Sequence, residues 1–134
     1  MNSLDHIFRL LPGQDLKNGI HRYVCEHSIE AASIIMGIGS LTEAQVRLSN
    51  DTILKRPCEC FEIQTLMGTA SKSGGLHLHI TLADKNGLVL GGHLLEGCLI
   101  NTTAEITLIE HKNKRFMREK DESTGYLELK VFDL

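Results

Sequence analysis

The segment that most constrains the fold is residues 76–82, where Leu76, Leu78, Ile80 and Leu82 alternate with His77, His79 and Thr81. A strand turns successive side chains to opposite faces, so the pattern describes a β-strand with one buried apolar face and one polar face. Asp84-Lys85-Asn86-Gly87 follows at once. This is hairpin chemistry, because Asn and Gly accept the left-handed backbone that tight turns need. Residues 88–90 then resume the sheet, antiparallel to the first strand. Gly91-Gly92 gives a bulge, a bend or a close backbone approach just before His93. A chain with this hairpin in its middle is expected to fold around an antiparallel sheet.

The remaining segments agree. Residues 8–10 read as a short strand ending in the turn Leu11-Pro12-Gly13. Asp15 is placed to cap a helix over about 16–27, where Leu16, Ile20, Tyr23, Val24 and His27 recur at helical spacing. Gly19 weakens that helix without forbidding it. Residues 31–38 read as a buried strand running into a tight glycine turn, Gly37-Ile38-Gly39-Ser40, and 41–48 as a further strand. Asn50-Asp51 and Pro57 mark turns. A strand over 60–68 puts Phe61, Ile63, Thr65 and Met67 on one face and Glu62, Gln64 and Leu66 on the other. The longest strand covers 98–109, and 126–132 adds a C-terminal one. The basic run Lys112, Lys114, Arg115 and Arg118, followed by Glu119, Asp121 and Glu122, reads as a solvated loop.

The sum is a single domain over residues 1–134 with one helix and seven or eight strands. The fold class is α/β of the α+β kind: a mixed, largely antiparallel twisted sheet with one main covering helix, not a βαβ series. One helix hides one sheet face. The other apolar face needs a curled sheet or another subunit, so an oligomer is expected.

Composition narrows the function classes. The formal net charge is -3, aromatic residues make up 4% of the chain, and there is no tryptophan. Direct, specific nucleic-acid binding is not expected from a chain without a basic excess or stacking platforms. No apolar run approaches the roughly 20 residues that span a bilayer. The four cysteines, with no recognisable signal peptide, suggest free thiols in the reducing cytoplasm. P-loop, Gly-x-Ser-x-Gly and His-Glu-x-x-His motifs are absent.

The histidines carry the sharpest chemical reading. His77 and His79 project to one side of their strand. A hairpin loop centred on Asn86-Gly87 sets His79 opposite Leu94, and a one-residue bulge at Gly91-Gly92 would bring His93 beside His79 instead. Three imidazoles on one face suit zinc or a similar divalent metal, at about 2.0–2.1 Å. A polar surface cluster is the plain alternative. Glu62 and Glu105 are candidates to pair with Arg47, to ligate, or to accept a histidine N–H. Either is equally at home on a plain surface. Arg47 is a candidate clamp for a small anionic ligand. Cys98 is the nearest soft alternative ligand.

The ordered pieces Arg9-Leu10-Leu11-Pro12-Gly13-Gln14-Asp15-Leu16, Gly37-Ile38-Gly39-Ser40-Leu41, Phe61-Glu62-Ile63, His77-Leu78-His79-Ile80, Gly91 through Cys98 and Thr103-Ala104-Glu105 resemble the PPC domain, the plant and prokaryote conserved domain. Phe116 to Leu129 looks like the C-terminal portion of bacterial members. The resemblance implies a compact mixed α/β fold, a homotrimer, and zinc on His77, His79 and His93. It settles no reaction. Bacterial members are labelled DNA-binding by analogy with plant relatives whose AT-hook lies outside the domain, and this chain has no such motif. Three functions follow as expectations: a trimeric metal-binding module, a DNA-associated or transcription-related protein acting through partners, or a metal-dependent hydrolase or lyase on a small anionic substrate.

Overall fold

The computed structural model describes residues 2–134. In chain order the elements are β1 Ser3–Leu10, α1 Leu16–Glu26, β2 Ala32–Arg47, β3 Ile53–Arg56, β4 Phe61–Ser71, β5 Gly75–Asp84, β6 Val89–Leu94, β7 Leu99–His111, β8 Lys114–Lys120 and β9 Leu127–Asp133. Strands β1-β7-β2-β4-β5-β6 are neighbours in that order, β3 pairs with β2, and β8-β9 form a separate ribbon. Strand pairing is antiparallel throughout the described residues. This is the expected α+β architecture with one main helix.

The main sheet closes on itself. The first part of β2 pairs with β4, while Val46 and Arg47 at its end pair with Leu94 and His93 of β6. Hairpin pairing links β4 to β5 and β5 to β6, so β2, β4, β5 and β6 form a ring. Leu41, Val46, Phe61, Leu66, Leu78, Ile80, Leu82 and Leu94 fill the core, each at most 2% exposed. Each such side chain contributes about 1.5–3 kcal/mol relative to remaining in water. The alternation of residues 76–82 does what it predicts: Leu78, Ile80 and Leu82 face the core and His77 and His79 face out.

Helix α1 adds Leu16, Ile20 and Val24 to that core, all fully buried. Asp15 caps it, accepting from the Asn18 N–H at 2.9 Å and, through its other oxygen, from the Gly97 N–H at 2.6 Å. Gly19 does more than weaken the helix: a Cβ there would lie 2.8 Å from the Leu10 side chain, so its absence lets the helix approach β1.

Several expectations need correcting. Residues 32–47 are one 16-residue strand, not two strands around a glycine turn. Gly39, at φ +147°, brings β2 so close to β7 that a Cβ would meet the Thr103 carbonyl at 2.0 Å. The strand continues through the glycine, and register shifts on either side absorb the irregularity. In β4 a bulge between Ile63 and Thr65 switches the pattern, so Leu66 is buried and Met67 faces out. The basic run is not a loop. Lys114 to Lys120 forms β8, anchored by buried Phe116, and its charges pair across the ribbon as Lys114–Asp133 and Glu119–Lys130. Strand β3 follows the Asn50-Asp51 turn and has no counterpart in the alternation read from the sequence.

The helix, at 11 residues, is too short and not apolar enough to cross a membrane.

Candidate metal centre

The register of three strands builds the centre. His77 and His79 leave β5 on its outer face, and His93 of β6 stands directly across from His79. The hairpin register that achieves this comes from its loop, not from a bulge at the glycine pair. Lys85, Asn86 and Gly87 make a three-residue loop, with Gly87 at φ +78° and its N–H on the Asp84 carbonyl at 2.9 Å. That extra loop residue shifts the pairing by one and sets His93, not Leu94, beside His79. Gly91 and Gly92 serve close approach: a Cβ on either would sit 2.6 Å from a neighbouring carbonyl oxygen, of Ile80 and Arg47 respectively.

The ring centroids are 5.2 Å apart for His77–His79, 4.8 Å for His77–His93 and 5.5 Å for His79–His93. One ligand nitrogen from each ring lies within 4.8 Å of the others. Three nitrogens at about 2.1 Å from a tetrahedral ion stand roughly 3.4 Å apart, so small ring rotations close the set. Burial and the neighbouring Arg47 and histidines push His93 down to about 4. His77 is also lowered, by desolvation first and then by Arg118 and His79. Both rings are therefore neutral at pH 7, the form a metal ligand requires. The three-histidine cluster can coordinate a divalent metal.

Arg47 lies directly across β2–β6 from His93 and makes an ion pair with Asp51 at 2.7 Å. Neither glutamate takes it as a partner. Glu62 sits opposite Ala83 and Ser40, five residues along β4 from the Met67 that faces His79. At roughly 3.3 Å per residue that is about 16 Å away. Glu105 pairs with Arg9 and Ile38 on the far side of β2. The cluster forms without either of them. Cys98 is also elsewhere: its buried thiol bonds the Gln45 backbone, at 3.3 Å to the carbonyl, and burial pushes it up to about 11.

An open cavity of about 750 Å³ lies beside the cluster, lined by His77, His93, Arg47, Arg118, Tyr126 and Glu128 among others. A smaller one of about 280 Å³ adjoins it, formed by Met67, Gly68, Thr69, His77 and His79. Arg118 and Thr69 escape sequence reasoning. Arg118 hydrogen-bonds Thr69 Oγ1 at 2.9 Å, and Thr69 stands opposite His77. The available signal was Phe116, an apolar residue inside the basic run and two positions before Arg118, which marks a strand whose Phe116 side packs inward.

Residues 3–112 match the model of the Plants and Prokaryotes Conserved (PCC) domain. The chain belongs to this family. Among curated relatives it is 44% identical over 123 residues to the bifunctional protein GlmU of Synechococcus sp. (strain JA-3-3Ab). The match covers 92% of this chain and 20% of that protein, so the chain spans about a fifth of its relative's length. Among solved structures it superposes on a hypothetical protein from Salmonella cholerae-suis with a TM-score of 0.93 and 32% identity, over 98% of this chain and 94% of that one. A metal-containing protein from Archaeoglobus fulgidus matches with a TM-score of 0.76 and 28% identity, over 93% of this chain and 91% of that one.

Proposed function

We propose that this chain is a trimeric metal-binding module that holds one zinc-class divalent ion per subunit on His77, His79 and His93. The observation that carries the reading is the convergence of three imidazoles, with ligand atoms within 4.8 Å, on strands whose opposite faces are locked in the core. Their chemistry suits a borderline-soft ion such as zinc. The metal-containing Archaeoglobus relative supports it further.

The number three follows the family resemblance, and the outer sheet face supports assembly as such. Ile7 of β1, Met36 and Ile38 of β2 and Met67 of β4 are 76%, 42%, 45% and 56% exposed. An apolar face of this breadth favours contact with further copies of the chain. Direct, specific DNA binding is not part of the reading, given the net charge of -3. All four cysteines are free, which suits a cytoplasmic location. The cavity beside the histidines favours a second reading, in which the module is a hydrolase or lyase acting on a small anionic substrate.

Elemental analysis of protein purified without a nickel column, alongside the His79→Ala variant, tests the centre. Stoichiometric metal in the parent and little in the variant is expected. No bound metal, together with no zinc uptake at micromolar zinc near neutral pH, would refute it. Sedimentation tests the trimer, and a monomeric mass would refute that part.

A further inference from the structure

We propose that Arg47 and Arg118 together form an oxyanion subsite beside the three histidines, selecting a small molecule that carries a carboxylate or phosphate group. The inference deepens the metal-centre reading and rests on it for the neighbouring ion.

The two guanidinium groups approach the cluster from different elements. Arg47 is the cross-strand partner of His93 at the closure of β2 on β6. Arg118 belongs to β8 and is held to Thr69, the cross-strand partner of His77. Both line the same cavity of about 750 Å³ as His77 and His93. Phe116, two residues before Arg118 and so on the same side of β8, is buried. The Phe116 N–H donates to the Glu30 carbonyl at 2.8 Å, and its own carbonyl accepts from Ser71 Oγ at 2.8 Å. Arg118 is thus fixed towards the cavity by a packed neighbour.

Unused guanidinium donors, rather than net charge, point to an anion, since Arg47 and Arg118 share the cavity lining with the carboxylates of Asp51 and Glu128. Among the described residues Arg118 makes no ion pair. The one carboxylate on Arg47 is Asp51, which is 65% exposed and reaches a single guanidinium nitrogen, leaving donors over. Glu128 also lines the cavity, but accepts from Thr124 Oγ1 at 3.0 Å. Two guanidinium groups next to a site for a divalent cation repel that cation. An oxyanion between them turns the repulsion into attraction on both sides, and the planar guanidinium fork matches carboxylate and phosphate oxygens. Leu76, Tyr126 and Leu127 complete the wall with apolar surface, which leaves room for a short organic body. Arg118, Tyr126 and Leu127 all lie beyond residues 3–112, so the C-terminal ribbon supplies selectivity to a centre built by the family domain.

The test uses the full chain loaded with cobalt(II), whose visible spectrum reports on its surroundings. Cobalt uptake is measured first in the parent, Arg118→Gln and Arg47→Gln. Each is then titrated with inorganic phosphate and with malonate, with chloride as the ionic-strength control. The parent spectrum is expected to shift saturably with one or both oxyanions, and which one shifts it separates phosphate from carboxylate ligands. Both variants should take up cobalt at least as tightly as the parent, since a repelling charge is gone, yet need about tenfold or more anion for half-saturation. A merely structural Arg118 would weaken cobalt binding and leave anion affinity unchanged. Equal half-saturation in the parent and both variants, or no spectral shift in the cobalt-loaded parent, would overturn the subsite. Failure of the parent to take up cobalt would sink the metal reading separately. The metal-free protein is then titrated calorimetrically with the same anions. Binding weakened tenfold by Arg118→Gln supports the subsite, and no binding overturns it.

Discussion

Gly92→Ala tests whether closure of the sheet positions the metal centre. A Cβ at Gly92 would lie 2.6 Å from the Arg47 carbonyl oxygen, about 0.8 Å inside ordinary contact at 3.4 Å. The backbone of Gly92 itself is not in the left-handed region, so the clash is the whole effect. It falls on a weak place, because β2 and β6 meet through only the pairs Val46–Leu94 and Arg47–His93. Overpacking of this kind costs about 1–3 kcal/mol. For 134 residues the unfolding entropy is about 0.28 kcal/mol per kelvin, so Tm should drop by about 4–11 °C. Pushing β6 from β2 also displaces His93 from His79, and zinc affinity should fall about tenfold or more, equivalent to 1.4 kcal/mol. Gly13→Ala is the control. It has nothing within 4 Å and sits at φ +84° in the turn after β1, so it should cost about 1–2 kcal/mol in backbone strain alone. Differential scanning calorimetry of the metal-free proteins and competition titration with a zinc chelator give both quantities. If Gly92→Ala loses stability but keeps parental zinc affinity, closure does not position His93. If it loses neither, the steric reasoning is wrong.

Three further outcomes are expected. The folded-state value of about 4 for His93, and the lowered value of His77, lie below the ordinary 6.5, so the unfolded chain takes up protons first. The metal-free protein should therefore lose stability as pH falls from about 6.5 towards 4. The His93 share is about 1–2 kcal/mol once solvent screening of a half-buried ring is allowed for, and His93→Ala should flatten the chemical-denaturation profile over that window. Burial pushes Glu110 up, but its bonds with Lys112 and His6 more than offset this and leave its pKa lowered. Its charge thus stabilises the fold above the usual carboxylate range, and Glu110→Gln should cost about 1–3 kcal/mol at pH 7 by urea denaturation. That difference should shrink as pH falls through the folded-state value, and a constant difference would refute the assignment. Ile38→Glu puts a charge on the outer sheet face without touching the core, so sedimentation should show a smaller species with an unchanged monomer fold by circular dichroism.

The sequence by itself determined the strands whose two faces differ in chemistry. Residues 76–82 read correctly because period-two alternation is a local property, and so did α1, whose Asp15 cap and apolar spacing need no distant partner. The same alternation placed His77 and His79 together. His93 was legible as a candidate, but its partner depended on a loop of three residues rather than two, a choice fixed when Gly87 took the left-handed conformation. Glycine defeated the local reading most often. Gly39 looks like a turn in the sequence, yet β7 lies where its Cβ would be, so the strand runs on. The bulge in β4 reversed the faces of Leu66 and Met67 for a similar reason, since bulges answer to the neighbouring strand. Arg118 shows the limit most plainly. It is 25 residues from His93 in the chain, and its place beside the histidines exists only because buried Phe116 packs β8 against β4. Local pattern sets which way a side chain points from its own strand, and only packing of distant segments decides what it points at.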